Sequence, residues 1–495
     1  MLEYYWRPSV RKILLSLLNW TEKISAPPQA VVRDRGQKVW QQEINLSPVL
    51  VALVALSTFF VFLMFEIGLS WLKLAGLVLF LCMSLVFLVL YLRHEQADLL
   101  ADSEAMALLG LIFISAVLVM QLSKKWFSPL ATPLAAFVLM TGLLLSRNLA
   151  LMVGIILSLI LGILNDFSLE FFLVHLFGSF TVVVFLSQIR NRGDITRIGL
   201  KVSVVNIIII LVIHFFRLWP LKTLEVNAGW GVFSGFASSL IVLGTLPYLE
   251  SFFSRTTNIK LLELGDFNRP LLKRLMLEAP GTYHHALIMA SIAEQAAEAI
   301  GANSLLARVG AYYHDIGKLS NPDYFIENQQ QRHNPHDPLT PMMSSLVVIS
   351  HVKEGKAFAQ QYNLDKIIVD CIEQHHGTSL IHYFYHRALE QNPEIKSENF
   401  RYPGPKPKSK VTAILMIADA VEAASRTVEE PSPGRLRDTV EKVINNKFTD
   451  GQFADCPITL HDLSKIADSM ISTLSGIYHA RIEYQETNGK NERTN

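Results

Sequence analysis

Gly310–Ser320 reads GAYYHDIGKLS, and the doublet His314-Asp315 sits at its centre. An adjacent imidazole and carboxylate can grip one metal ion or bridge two. Alone the doublet carries little weight, because His-Asp pairs arise by chance. The same half of the chain holds GTYHH at Gly281–His285, His351 in SHVKEG, His375-His376 in QHHGT and Asp419 in MIADAVEAASR. Seven such donors are too many for one ion. Divided around a shared Asp315 they serve two divalent ions. His285, His314, Asp315 and Asp419 go to one, and Asp315, His351, His375 and His376 to the other. Imidazole and carboxylate without thiolate suit iron or manganese, with less weight on zinc, cobalt or nickel. Two ions roughly 3.5–4 Å apart can activate a water and neutralise charge developing on phosphorus.

Around these donors the second half reads as helices. His285, Met289, Ile292, Ala296 and Ile300 follow a spacing of 3–4, a helix with one buried face and His285 near its start. Ser304–Lys318 reads as one helix carrying the doublet. Asp315 and Lys318 are the catalytic candidates: Lys318, one helical turn beyond His314, can give a positive contact to a phosphate oxygen. Asn321–Thr340 reads as a loop over the site. In it, His336 of NPHDP either lines the substrate cleft or caps a turn. Helices ending at His351 and at His375-His376 follow over Met342–Val352 and Asp365–His376. Lys410–Thr427 carries Asp419, and Arg435–Phe448 and Leu460–Tyr484 close the domain. His284 should point away from the donors. His333, His382, His386, His461 and His479 read as structural or exposed. Arg401–Lys410, RYPGPKPKSK, reads as a basic loop.

Composition divides the chain. At 495 residues more than one domain is expected. The sequence is 51% apolar, and nearly all its long apolar runs fall between Ser47 and Leu249. A net charge of +1 gives no bulk signal for a nucleic-acid polymer. The three cysteines, Cys82, Cys371 and Cys456, match no zinc spacing and no disulfide framework. No cleavable signal peptide precedes the first apolar run.

Residues 1–46 read as a basic cytoplasmic leader, in which Val10–Trp20 can form an amphipathic helix. Residues 47–249 read as a bundle of about eight spans in a lipid bilayer: Pro48–Glu66, Trp71–Leu92, Ala105–Leu122, Leu130–Ser146, Leu149–Leu164, Leu169–Ile189, Ile198–Trp219 and Trp230–Leu249. So many apolar runs leave no polar face for water, which excludes buried helices of a soluble protein. Leu130–Leu164 is either a tight hairpin or one interrupted span. With the N-terminus inside, the inner loops hold Arg93, Arg147, Arg190, Arg192 and Arg197, and the outer ones Lys124, Lys125 and Lys222. That asymmetry places the second half on the cytoplasmic side. His175 and His214 lie within spans, with Lys201 near an end; such groups are functional candidates, and each histidine reads first as facing a neighbouring helix. Residues 250–264 form a linker, 265–485 a helical domain and 486–495 a disordered tail. The expected fold class is all-α: a polytopic transmembrane helix bundle followed by a soluble all-helical domain.

These motifs carry a resemblance. LPYLESFF, LLELGDFNRPLLKRL, APGTYHHA, NSLLARVGAYYHDIGK, PDYFIENQ, YPGPKPKSK, IADAVEAASR and TLHDL, with the donors above, resemble the seven-transmembrane HD family. Its known members are PgpH-type cyclic-di-AMP phosphodiesterases. The resemblance implies that residues 265–485 form an HD phosphohydrolase domain, and that the seven donors are the family's ligands. It further implies hydrolysis of cyclic-di-AMP to linear pApA in second-messenger signalling. The alternatives are an HD phosphohydrolase of another nucleotide, or a membrane scaffold that only binds nucleotide. A homodimer is compatible with the sequence, which carries no signal for or against it. Two departures stand out. Only Ile67–Ser70 separate the first two apolar runs, where the family usually has a large extracellular domain. Ala286 and Val411 stand where Ser and Glu are usual; neither is a donor.

Overall fold

Six helices long and apolar enough to cross a membrane lie among the residues that the computed structural model describes, which are 71–329, 334–429 and 431–478. The basic leader, the run Pro48–Glu66, the junction Ile67–Ser70, the tail, His333 and His479 lie outside the described residues. Among the described residues every regular element is helical, as the all-α expectation requires, and one isolated bridge pairs Leu380 with Arg401.

The apolar half runs through α1 (Trp71–Glu95), α2 (Ala97–Ala101), α3 (Ser103–Trp126), α4 (Leu134–Leu144), α5 (Arg147–Leu164), α6 (Leu169–Phe185), α7 (Arg192–Arg217) and α8 (Leu221–Phe252). Leu130–Ser146 departs from its expected length. Pro129 starts a 3-10 turn through Ala131, and α4 holds only 11 residues. At 1.5 Å per residue it reaches about 17 Å, short of the ~30 Å of hydrocarbon. It is buried inside the bundle from Leu134 to Thr141. Ser146 ends this segment and caps α5 through the Leu149 amide at 3.2 Å, so Leu130–Leu164 is a hairpin. The last span is longer than its apolar run: α8 has 32 residues and passes through Pro247.

Bilayer physics explains the packing. Lipid offers helices no hydrophobic drive to associate, so small residues and interhelical hydrogen bonds hold them. α7 and α8 meet along Gly199, Ser203, Gly231 and Gly235. The Ser203 hydroxyl donates to Val232 O at 3.0 Å and the Asn206 amide to Gly231 O at 3.1 Å. His175 Nε2 lies 3.0 Å from Pro129 O and ties α6 to the 3-10 turn, a helix-facing role as read. The Lys201 ammonium sits 3.4 Å from the centre of the Phe185 ring. Large apolar side chains such as Phe215 and Phe216 face outward, where lipid would cover them.

The bundle has two identifiable ends. Ser146 Oγ donates to Gln96 at 2.8 Å, Arg147 to Val183 O at 3.1 Å, and Arg255 pairs with Asp102. At the other end Lys124 reaches Leu164 O at 2.5 Å and Arg217 pairs with Glu170 at 2.7 Å. The second half follows the first end through α9 (Asn258–Leu264), which occupies the C-terminal part of the expected linker. Arg192 at the start of α7 clamps Glu263 of α9 through two bonds of 2.7 and 3.2 Å.

Beyond it lie α10 (Pro270–Glu278), α11 (Pro280–Ala299), α12 (Ser304–Tyr313), α13 (Pro341–Gln361), α14 (Lys366–Gln374), α15 (His382–Gln391), α16 (Lys410–Ser425), α17 (Pro433–Thr449) and α18 (Leu460–Ile477). Most of their apolar faces meet in one core around Met289, Ala293, Tyr313, Ile372, Ile414 and Ile466, while Phe384 and Ala388 of α15 pack with Phe400 in a smaller cluster. Two boundaries differ from the sequence reading. α12 stops at Tyr313, and Ile316–Ser320 forms a 3-10 turn, so the doublet lies at a helix end. α13 does not end at His351 but continues ten residues to Gln361, which leaves His351 mid-helix.

Candidate metal centre

Five segments deliver the seven sequence-predicted donors to one place. His285 lies on the buried face of α11 with Thr282, Ala286 and Met289, while His284 is exposed. His314 caps the C-terminus of α12, and Asp315 opens the 3-10 turn. His351 projects from the middle of α13, His375 caps α14, and His376 follows it. Asp419 comes from α16. The donors fall into two clusters: Asp315, His351, His375 and His376 in one, and His285, His314 and Asp419 in the other. Within each, one ligand atom per residue lies within 4.8 Å of all the others.

Asp315 joins the clusters by dividing its oxygens. Oδ1 is 3.3 Å from His351 Nε2 and 3.7 Å from His375 Nε2. Oδ2 is 3.1 Å from His314 Nε2 and 4.0 Å from His285 Nε2. Asp419 spans them less evenly, with Oδ1 3.2 Å from His285 Nε2 and Oδ2 3.5 Å from His376 Nδ1.

This centre fits a pair of cations. His314 and His375 are fully buried and Asp315 and His351 nearly so. His314 Nε2 and Asp315 Oδ1 have no hydrogen bond, a costly state for buried polar atoms unless something else satisfies them. Burial and the neighbouring His314 push His375 down to about 3, and burial and His375 hold His376 far below the usual imidazole range. Burial works against charge on Asp315 and Asp419. It is outweighed by His314 and Lys318 around Asp315, and by the hydrogen bond and charge of His285 and the charges of His376 and His314 around Asp419, so both stay ionised. Neutral imidazoles and ionised carboxylates are the forms that ligate metal. His285 differs. Burial disfavours its charge, yet hydrogen bonds to Asp419 and Glu422 raise it to about 10.

Lys318 is not the free cation its sequence position implies. Its ammonium is shared between Asp315 Oδ2 and Glu327 Oε1, each at 2.7 Å. The 3-10 turn, rather than a helical turn, sets that reach. The turn lies against α13 so closely that a Cβ on Gly317 would stand 1.8 Å from His351 O. Gly281 makes the same approach to Glu327 O, also 1.8 Å. His336 is not among the clustered donors. Its Nε2 lies 2.9 Å from Tyr324 O, and its ring packs on Tyr324 and Phe384.

Three contacts escaped the sequence reading. Glu422 meets His285 Nδ1 at 2.5 Å, Arg426 pairs with Glu422 at 2.6 Å, and Tyr402 stacks on His376 with ring centres 4.2 Å apart. Glu422 and Arg426 stood inside the quoted IADAVEAASR, one helical turn apart, and that spacing was the available signal. A groove of about 370 Å³ beside the centre is lined by His285, Lys318, Glu327, Asp419, Glu422 and Arg426 among others.

Comparison with known proteins gives this arrangement a context. Residues 71–257 match the family model described as 7TM receptor with intracellular HD hydrolase, and residues 282–424 match that of the HD domain. The cyclic-di-AMP phosphodiesterase PgpH of Bacillus subtilis (strain 168) is 38% identical over 430 residues, 84% of this chain and 60% of that protein. The protein of the same name from Listeria monocytogenes serotype 1/2a is 36% identical over 423 residues, 83% of this chain and 59% of that one. This chain thus spans about three-fifths of the length of these curated relatives. The crystal structure of the L. monocytogenes PgpH HD domain in complex with cyclic-di-AMP is 48% identical, covers 44% of this chain and 100% of its own, and has a TM-score of 0.42.

Proposed function

We propose, from the premise that this chain belongs to the seven-transmembrane HD family, that it is a membrane-anchored phosphodiesterase hydrolysing cyclic-di-AMP to pApA. The observation that carries the reading is the division of Asp315 between two donor clusters, one oxygen to each. His285, His314, Asp315 and Asp419 would hold one divalent ion, and Asp315, His351, His375 and His376 the other, with iron or manganese favoured by the donor chemistry. When bound, such a pair supplies Lewis acidity toward phosphate and an activated water.

The chain's own residues do the rest. Lys318 holds Asp315 ionised and fixed, and through Glu327 it draws in the segment after the 3-10 turn. Glu327 in turn accepts from the Thr282 hydroxyl at 3.1 Å, which links that segment to α11 one turn before His285. The groove beside His285 and Asp419 gives a phosphodiester one open side from which to approach. Water adds to phosphorus, the bond to the ribose 3′ oxygen breaks, and the proton is left on that oxygen. The product is one linear dinucleotide. The excess of arginine in the loops at this end of the bundle supports a cytoplasmic position for this domain.

The test is turnover by the full-length protein in lipid, loaded with manganese or iron, on cyclic-di-AMP, other cyclic dinucleotides and linear nucleotides. The expected result is pApA from cyclic-di-AMP with clear preference over the panel. Metal-loaded protein that hydrolyses another nucleotide in preference would overturn the substrate, and one that binds cyclic-di-AMP without turnover would make it a scaffold.

A further inference from the structure

The imidazoles of the centre are oriented in different ways. His314, His351 and His375 each turn Nδ1 to the backbone carbonyl three residues earlier, at 2.8 Å to Ala311, 2.5 Å to Val348 and 2.7 Å to Ile372. Their own helices fix them. His285 turns Nδ1 to a side chain on another helix, Glu422 of α16, at 2.5 Å. The same helix presents Asp419 to Nε2 of the same ring, at 3.2 Å. Asp419 and Glu422 are three residues apart and so share a face of α16. One helix therefore grips both nitrogens of one imidazole.

Glu422 is itself held. It is 1% exposed, and its second oxygen takes Arg426 through Nη2 at 2.6 Å and Nε at 2.7 Å. A buried carboxylate is costly unless paired, and this one is paired on both oxygens. Arg426 is partly exposed at the rim of the groove. The row Arg426, Glu422, His285 thus runs from solvent to the donor clusters.

We propose that Glu422 is a positioning residue for His285. It fixes the ring so that Nε2 faces the donors, and thereby sets the cation affinity of the cluster His285, His314 and Asp419, while Arg426 keeps Glu422 in place. The inference rests on reading the centre as a two-ion site, but not on cyclic-di-AMP being the substrate. The physical reason is that a carboxylate behind an imidazole locks the tautomer and strengthens the ring as a donor. Losing such a partner typically costs roughly 10- to 100-fold in metal affinity. The other cluster has no comparable dependence on Glu422, because His351 and His375 are set by backbone carbonyls.

The experiment counts bound manganese per full-length chain in detergent or nanodiscs across a range of free metal. It compares the parent protein with Glu422→Gln, Glu422→Asp and Arg426→Gln. At a concentration where the parent holds two ions, Glu422→Gln is expected to hold one. Its second ion should return at roughly 10- to 100-fold higher free metal. Glu422→Asp keeps the charge and should recover part of the affinity, and Arg426→Gln should lose less than Glu422→Gln. At saturating metal most of kcat should return with KM little changed, which a general packing defect would not allow. The proposal is overturned if Glu422→Gln binds both ions as the parent does. It is equally overturned if that variant loses both ions together with its thermal transition. A parent protein inactive on cyclic-di-AMP but showing the expected metal pattern would sink the proposed substrate and leave this inference standing.

Discussion

Asp315 is the residue on which both clusters depend, because each of its oxygens faces a different one. Asp315→Ala should therefore lower bound metal from two ions to fewer than one and abolish phosphodiester hydrolysis. Asp419→Ala should chiefly empty the His285 side. Metal analysis of the purified variants separates the two, and two ions retained in Asp315→Ala would refute the division. Removing metal should also cost stability. Seven donors then crowd together with His314 Nε2 and Asp315 Oδ1 left unpaired, so chelation should lower the thermal midpoint, and readding manganese should restore it. An unchanged midpoint after complete chelation would count against the centre. At this scale the clustering of the donors was legible because the ordered series His, His-Asp, His, His-His and Asp matches the pattern of the family the chain resembles. Glu422 was not legible, since a glutamate on a helix reads as a solvated face until the opposing imidazole is seen. The partners of Lys318 were not legible for a related reason. Its sequence position gives its distance along the chain but not the Glu327 carboxylate brought over it by the following loop.

Among the elements, the 3-10 turn Ile316–Ser320 is what separates this site from an ordinary helix end. The sequence reading carried one helix through Lys318, whereas the helix stops at Tyr313 and the turn begins after Asp315. The turn instead presses its backbone on α13, and Gly317 permits the contact because a Cβ there would overlap His351 O and Gly355 N. Both neighbours are backbone atoms and cannot rotate away. Gly317→Ala should therefore push the turn off α13, cost about 1–3 kcal/mol of stability as an overpacked contact does, and reduce turnover at least tenfold by moving Asp315. A melting curve and a kcat measurement check both halves. A variant as stable and active as the parent would mean the turn can shift without consequence. Helix identity was read well from apolar spacing, whereas ends were read poorly. α12 stops early and α13 runs on because tertiary contacts, not the local pattern, decide where each can continue. In the membrane half, α4 shows the same limit: hydropathy marks an apolar run but cannot see that Pro129 and Pro133 shorten the helix within it.

At the scale of the molecule the question is how the bundle and the HD domain act on each other. Arg147 and Arg255 lie at the end of the bundle next to the HD domain, and Lys124 and Arg217 at the other; the proposal that the first end is cytoplasmic rests on the loop charges. A reporter after Arg192 should thus read cytoplasmic and one after Lys125 external, and matching signals would refute the orientation. The route between the halves is more specific than the linker's shortness implies. Thr256 and Lys260 follow the last span, and both bind the carboxylate of Asp365, at 2.6 and 2.5 Å. Asp365 caps the start of α14, and the nine residues of that helix lead directly to His375 and His376. A short helix is stiff, so a shift of α8 carried by Thr256 and Lys260 arrives at the two imidazoles with little loss. Catalysis responds to misplacement of about an ångström. Bilayers thicker or thinner than the spans require make helices tilt. Turnover by the metal-loaded full-length protein should therefore vary with acyl-chain length, by several-fold across a series of vesicles at equal metal occupancy. Asp365→Ala should flatten that dependence while keeping both ions, because α14 stays packed in the core through Ile368 and Ile372. Identical turnover of the parent protein in every lipid would make the bundle an anchor only. A parent and an Asp365→Ala variant that vary alike would move the coupling to the other clasp between the halves, Arg192 with Glu263.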